Sequence, residues 1–165
     1  MNTVYIGLGS NLSQPAKQLK SAVQSIAAIE QCQIKKISSL YFSRPMGPQD
    51  QPDYMNAVVS VTTSLTAIDF LTVLQMIENN AGRLRKDNRW GARVLDLDIL
   101  LFGQQLIDND RLTIPHYGMK VREFVLLPLH EISPNLILPC GDSLDELIQG
   151  LDQNGLKIFD NSLQL

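Results

Sequence analysis

The stretch Val94-Leu95-Asp96-Leu97-Asp98-Ile99-Leu100-Leu101-Phe102 constrains this chain more than any other. A short apolar run closed by Gly103 reads as a β-strand, and two acids interrupt it at alternate positions. Side chains on a strand repeat with period two, so Asp96 and Asp98 share one face, with Cα atoms roughly 7 Å apart. At that separation two bare carboxylates repel by about 2 kcal/mol at an effective dielectric near 20, and a cation between them relieves it. Hard divalent ions with oxygen ligands fit best, and Mg²⁺ is usual where phosphates supply the remaining ligands. A strand with one solvated face also alternates in this way. The flank argues for more: Arg83, Arg85, Lys86, Arg89 and Arg93 crowd around a single Trp90 in a segment without apolar periodicity. A basic loop entering a diacid strand suits a polyphosphate, with guanidinium groups clamping its oxygens and Trp90 offering a face to a ring.

With 165 residues, 44% of them hydrophobic, the chain reads as one domain, residues 1–165, large enough for a real core. A net charge of −3 argues against nucleic-acid or membrane-surface binding, so the basic segment is local and its partner small and anionic. No apolar run approaches a membrane span, and Met1-Asn2-Thr3 leads into a strand without a signal-peptide core. A cytoplasmic monomer is expected, with Cys32 and Cys140 as reduced thiols.

Along the chain, Val4–Leu8 predicts a strand that ends in a turn at Gly9-Ser10-Asn11. Ser13 and Pro15 open a helix lasting to about Ile29, with Leu19, Ala22, Val23, Ile26 and Ala27 on one face. A second strand is expected from Gln33 to Phe42, and a Pro-rich loop follows from Ser43 to Tyr54. Asn56 to Thr62 is strand-like. Thr66-Ala67-Ile68-Asp69 resembles a capping box before a helix with Phe70, Leu71, Leu74 and Ile77 inward, stopped by Gly82. With the diacid strand, the order is βαββαβ, an α+β ferredoxin-like unit with helices on one face of an antiparallel sheet. Beyond it, Gly103-Gln104 suggests a hairpin back through Leu106 and Ile107, then helical segments near Lys120 to Leu129 and after Ser143. His116, beside Pro115, and His130 have no metal-ligand spacing. The residues alone reach a Mg²⁺-polyphosphate site with a ring-binding loop, open to a phosphohydrolase, a nucleotidyltransferase or a non-catalytic nucleotide sensor.

Four motifs, in order, carry a resemblance: Gly9-Ser10-Asn11-Leu12, Gly47-Pro48-Gln49-Asp50-Gln51-Pro52-Asp53-Tyr54-Met55-Asn56, Arg89-Trp90-Gly91-Ala92-Arg93-Val94-Leu95-Asp96-Leu97-Asp98 and Ile114-Pro115-His116. Together they resemble the 6-hydroxymethyl-7,8-dihydropterin pyrophosphokinases of folate biosynthesis, from Val4 to about Pro139. The resemblance implies transfer of the β,γ-pyrophosphoryl group of ATP to the pterin hydroxymethyl group, with release of AMP. It further implies that Asp96 and Asp98 hold two Mg²⁺ ions and that ATP binds before the pterin. By the same resemblance, Arg83, Arg85 and Arg93 close over ATP, with Arg83 and Arg93 catalytic. Gln75, Glu78, Trp90, Ile99, Arg111, Thr113, His116, Tyr117 and Arg122 would hold the nucleotide. Tyr54 and Phe124 would sandwich the pterin, with Asn56 and the backbone of Ser43, Arg44, Pro45 and Met46 at its amide edge. Where the family commonly has Thr followed by Pro, this chain has Ser43-Arg44-Pro45.

Overall fold

Strand β1 (Asn2–Ser10) is the axis of the sheet. It pairs antiparallel with β4 (Tyr54–Thr63) on one side and with β5 (Asp96–Phe102) on the other. A computed structural model describes residues 1–10, 14–43, 54–83, 95–151, 157–160 and 163, with backbone alone at Ser43, Gly82, Arg83, Val121, Glu123 and 157–160. β1 runs two residues beyond the expected strand end, because Gly9 and Ser10 stay in register with Asn56 and Met55 instead of turning.

The expected second strand is two: β2 (Cys32–Ile37) and β3 (Leu40–Ser43), both against β4. Buried Ser38 makes the break without orphaning the ladder. Its N–H donates to the Val58 carbonyl at 2.9 Å, and its hydroxyl accepts the Val58 N–H at 3.0 Å. The sheet order is therefore β5-β1-β4 with β2 and β3 beyond, the antiparallel arrangement of the expected βαββαβ unit.

Helix α1 (Pro15–Ala27) and helix α2 (Ala67–Glu78) cover one face. Leu19, Val23, Ile26, Phe70 and Leu74 close over Val4, Ile6, Val59, Val61, Leu97 and Ile99, all buried. Thr66 caps α2 by accepting the Asp69 N–H, as its position before the apolar run suggests. Gly82 does not stop that helix: one π turn, Asn79–Arg83, carries the chain through it toward the basic segment.

Helices also cover the opposite face, where the βαββαβ order alone expects none. After a single 3₁₀ turn at Met119–Val121, α3 (Glu123–Ile132) and then α4 (Leu144–Gln149) bury Val125, Leu126, Leu129 and Leu144 against Val58, Leu100 and Leu101. A bulge makes both Leu100 and Leu101 available to that face. The β1–β5 register shifts between Tyr5 and Ile6, so Leu100 has no partner on β1 and Phe102 returns to the α1–α2 side. Gly103 turns with φ 56°, yet Ile107 does not fold back on β5. The two-residue strand β6 (Ile107–Asp108) pairs instead with β7 (Thr113–Ile114), and both isoleucines pack against the α1–α2 core. After Pro139, where no motif is legible, the chain adds α4 and a last strand, β8 (Lys157–Asp160), on the free edge of β3. Among the described residues no helix is long and apolar enough to cross a membrane.

Candidate active site

Two rows of residues cross the α3 face of the sheet at the end that α3 leaves uncovered. Register places Asn56 opposite Gly9 and Gly9 opposite Asp96; one step along, Val58 lies opposite Gly7 and Gly7 opposite Asp98. The two glycines are why a cavity exists there. A Cβ on Gly9 would stand 3.4 Å from Asn56 Oδ1, and one on Gly7 would stand 3.4 Å from the Leu100 side chain, so each would fill space the floor leaves open. Over this floor lies a cavity of about 360 Å³, lined among others by Asp96, Asp98, Tyr54, Asn56, His116, Arg122 and Phe124. Tyr54 enters from the first residue of β4 and Phe124 from the start of α3.

Another wall of the cavity comes from the segment between β7 and α3, tied to the sheet by a 3.0 Å bond from His116 N–H to the Leu100 carbonyl. Gly118 N–H donates to His116 Nδ1 at 3.2 Å, so in the neutral ring the proton sits on Nε2. Nε2 stands 3.9 Å from Asp98 Oδ2, close enough for electrostatics but too far for a hydrogen bond. Burial holds the His116 pKa below its ordinary value; Asp98 pulls it up and Arg122 pushes it down. His116 also stacks on Tyr117, ring centroids 4.7 Å apart. Arg122 is pinned between two rings, 5.6 Å from the Tyr117 centroid and 5.7 Å from that of Phe124. Gly118 makes room for it, since a Cβ there would meet the guanidinium carbon at 2.7 Å.

The donor set suits Mg²⁺. Two carboxylates on one strand face, with a glycine beside each, leave coordination positions for phosphate and water oxygens. Among the described residues no group of three or more His, Cys, Asp or Glu side chains gathers into an all-protein cage, the arrangement that would suit other metals better.

Residues 5–134 match the model of the 7,8-dihydro-6-hydroxymethylpterin-pyrophosphokinase (HPPK) family. The chain belongs to this family. It is 51% identical over 149 residues to the 2-amino-4-hydroxy-6-hydroxymethyldihydropteridine pyrophosphokinase of Haemophilus influenzae, covering 90% of this chain and 92% of that one. To the Pseudomonas aeruginosa enzyme of the same name it is 46% identical over 154 residues, covering 93% and 94%. Among solved structures, HPPK-DHPS in complex with substrates superposes with a TM-score of 0.71 at 13% identity, a likeness of fold. That match covers 90% of this chain and 45% of the other, so the chain spans less than half of that longer protein.

In this chain, then, the cavity unites Asp96, Asp98, His116, Arg122, Tyr54, Asn56 and Phe124, residues expected in three separate roles. Tyr117 stands beside it, 80% exposed. Other expected residues lie elsewhere. Ile99 turns its side chain into the core beneath α1 and α2. Arg111 and Thr113 are exposed at the small β6–β7 sheet, and Arg111 Nη2 reaches Thr72 Oγ1 on α2 at 3.4 Å, one turn before exposed Gln75. Glu78 is buried, and its Oε2 accepts the Leu97 N–H. Ser43 and Arg83 are described in backbone only, as the last residue of β3 and the end of the π turn. Arg44, Pro45, Met46, Arg85, Trp90, Arg93, Val94, Ser13 and Asn11-Leu12 lie outside the described residues, with most of the Pro-rich and basic segments. Gly7 and Gly118 were not singled out from sequence. Gly7 had a signal, since it precedes Gly9 by one strand period and faces the same way.

Proposed function

We propose that the cavity over Gly7 and Gly9 is where this pyrophosphokinase brings the triphosphate of ATP to the hydroxymethyl group of 6-hydroxymethyl-7,8-dihydropterin. The observation that carries the reading is the cross-sheet row Asn56–Gly9–Asp96, which sets an amide able to read a pterin edge and a carboxylate able to hold a metal on one floor. Asp96 and Asp98 would hold two Mg²⁺ ions. Bound there, Mg²⁺ supplies charge neutralisation of the phosphate oxygens and polarisation of the phosphorus under attack.

The chain's own groups do the rest. Tyr54 and Phe124 line the cavity and would offer their rings to the flat pterin. Arg122, held by its two aromatic neighbours, presents a fixed positive charge to phosphate oxygens without a further ordering cost. His116, kept neutral near pH 7 by burial, offers Nε2–H as a donor that adds no net charge. Arg83 and Arg93 would meet charge developing on the transferred group. The pterin hydroxyl gives up its proton to solvent water as its oxygen bonds to the β-phosphorus, the bond from that phosphorus to the α,β-bridging oxygen breaks, and AMP leaves with that oxygen. The enzyme would act as a cytoplasmic monomer, with ATP binding first.

Product analysis tests this. Incubation with ATP, Mg²⁺ and the reduced hydroxymethylpterin should yield AMP and pterin diphosphate, with no AMP when the pterin is omitted. ADP, or AMP formed without pterin, would assign the site to a phosphohydrolase or a γ-phosphoryl transferase.

A further inference from the structure

Glu78 sits where two effects disfavour a carboxylate. It is 7% exposed, and the strand it contacts carries the acids Asp96 and Asp98. A carboxylate in such a place needs compensating contacts, and one of them is the Leu97 N–H, which Glu78 Oε2 accepts at 2.8 Å. β5 is the edge strand of the sheet. Its N–H groups point alternately toward β1 and outward, where no strand among the described residues lies to receive them. Leu97 is the residue between the two acids, paired across from Leu8, and its side chain is buried under the helices.

We infer that Glu78 is a positioning residue for the diacid: by holding the Leu97 N–H from α2, it sets the rotation of β5 about its axis and so the aim of Asp96 and Asp98 into the cavity. The buried Leu97 side chain fixes that rotation from one direction and the Glu78 carboxylate from another. The π turn leaves α2 directly after Glu78, so the same anchor joins the metal-binding strand to the start of the basic segment. The role rests on reading Asp96 and Asp98 as metal ligands. It assigns Glu78 to the strand and not to the nucleotide.

The test compares wild type, Glu78→Gln and Glu78→Ala. Gln keeps an oxygen that accepts the Leu97 N–H and drops the charge, whereas Ala drops both. In the ligand-free protein, hydrogen exchange at the Leu97 amide should be slow in wild type and Glu78→Gln and at least about tenfold faster in Glu78→Ala, with β1–β4 amides unchanged. In the pterin-dependent reaction, half-saturating Mg²⁺ should rise about 10- to 100-fold in Glu78→Ala and stay within about threefold in Glu78→Gln, the range that loss of a supporting hydrogen bond around a metal site produces. Affinity for ATP in EDTA should not change in either variant. Unchanged Leu97 exchange in Glu78→Ala overturns the proposal, as does a loss of metal-free ATP affinity in both variants. Should Glu78→Ala not fold, wild type and Glu78→Gln decide, because a Leu97 amide exchanging at the rate of a free edge amide in wild type contradicts the anchor. The exchange measurement needs no ligand, so it stands or falls apart from the reading of the cavity, which absence of pterin-dependent AMP from wild type would overturn.

Discussion

Replacing Asp98 by Ala separates the role of the diacid in chemistry from its role in the fold. Asp98 is 52% exposed at its side chain, makes no hydrogen bond with His116 at 3.9 Å, and shares its face with Asp96 two residues away. At a Cα separation of roughly 7 Å the repulsion removed is about 2 kcal/mol at a dielectric of 20, and solvent at a half-exposed site reduces it to under about 1 kcal/mol. In EDTA the variant should therefore melt at the wild-type temperature or up to about 4 °C above it. Turnover should behave in the opposite way. A lost Mg²⁺ ligand removes several kcal/mol of stabilisation of developing charge, which corresponds to roughly a thousandfold fall in kcat. The paired assay is AMP release at saturating ATP, Mg²⁺ and pterin, beside thermal melting without metal. Activity within about tenfold of wild type, or melting more than about 5 °C lower, would refute the reasoning, since either result makes Asp98 a structural residue.

Gly9→Val should leave the fold in place, because β-branched residues suit a strand, while its methyl groups fill the floor beside Asn56 Oδ1 and weaken pterin binding about tenfold or more by fluorescence titration; wild-type affinity would show the floor is not used. Tyr41 donates to Glu131 Oε1 at 2.7 Å, joining β3 to α3, and burial, followed by the Glu131 bond and charge, pushes its phenol pKa well above the ordinary value. The unfolded chain then ionises first above about pH 10, so the contribution of Tyr41 is whole below that pH and fades as pH rises toward the folded pKa. Tyr41→Phe should cost about 1.5 kcal/mol at pH 7 in urea denaturation, and the gap from wild type should narrow above pH 10; a gap that stays constant would contradict the assigned cause.

The diacid strand was legible because its acids interrupt an apolar run at period two, and both face the cavity. α1 and α2 were legible for the same kind of reason, an apolar face at helical spacing and a Thr66 cap. What failed to show in the sequence depends on partners distant in the chain. The β2–β3 break depends on the Ser38 hydroxyl finding Val58 twenty residues away. The Leu100 bulge changes which face the end of β5 presents, and no local pattern marks it. Gly82 has the composition of a helix stop, but the chain passes it in a π turn. The second helical layer lies beyond the βαββαβ order that suggested a sheet covered on one face. The family resemblance brought the cavity-lining residues together from distant motifs, but it carried no sign that Glu78 accepts the Leu97 N–H of the diacid strand.

The most direct test of the central claim is a crystal structure of the protein with Mg²⁺, an unreactive ATP analogue and 6-hydroxymethylpterin. The account predicts metal on Asp96 and Asp98 and the pterin ring between Tyr54 and Phe124, over Gly7 and Gly9, with Asn56 at its edge. A pterin bound elsewhere, such as the groove between α1 and α2 lined by Ser21, Ile77 and Leu95, or metal absent from the two acids, would contradict it.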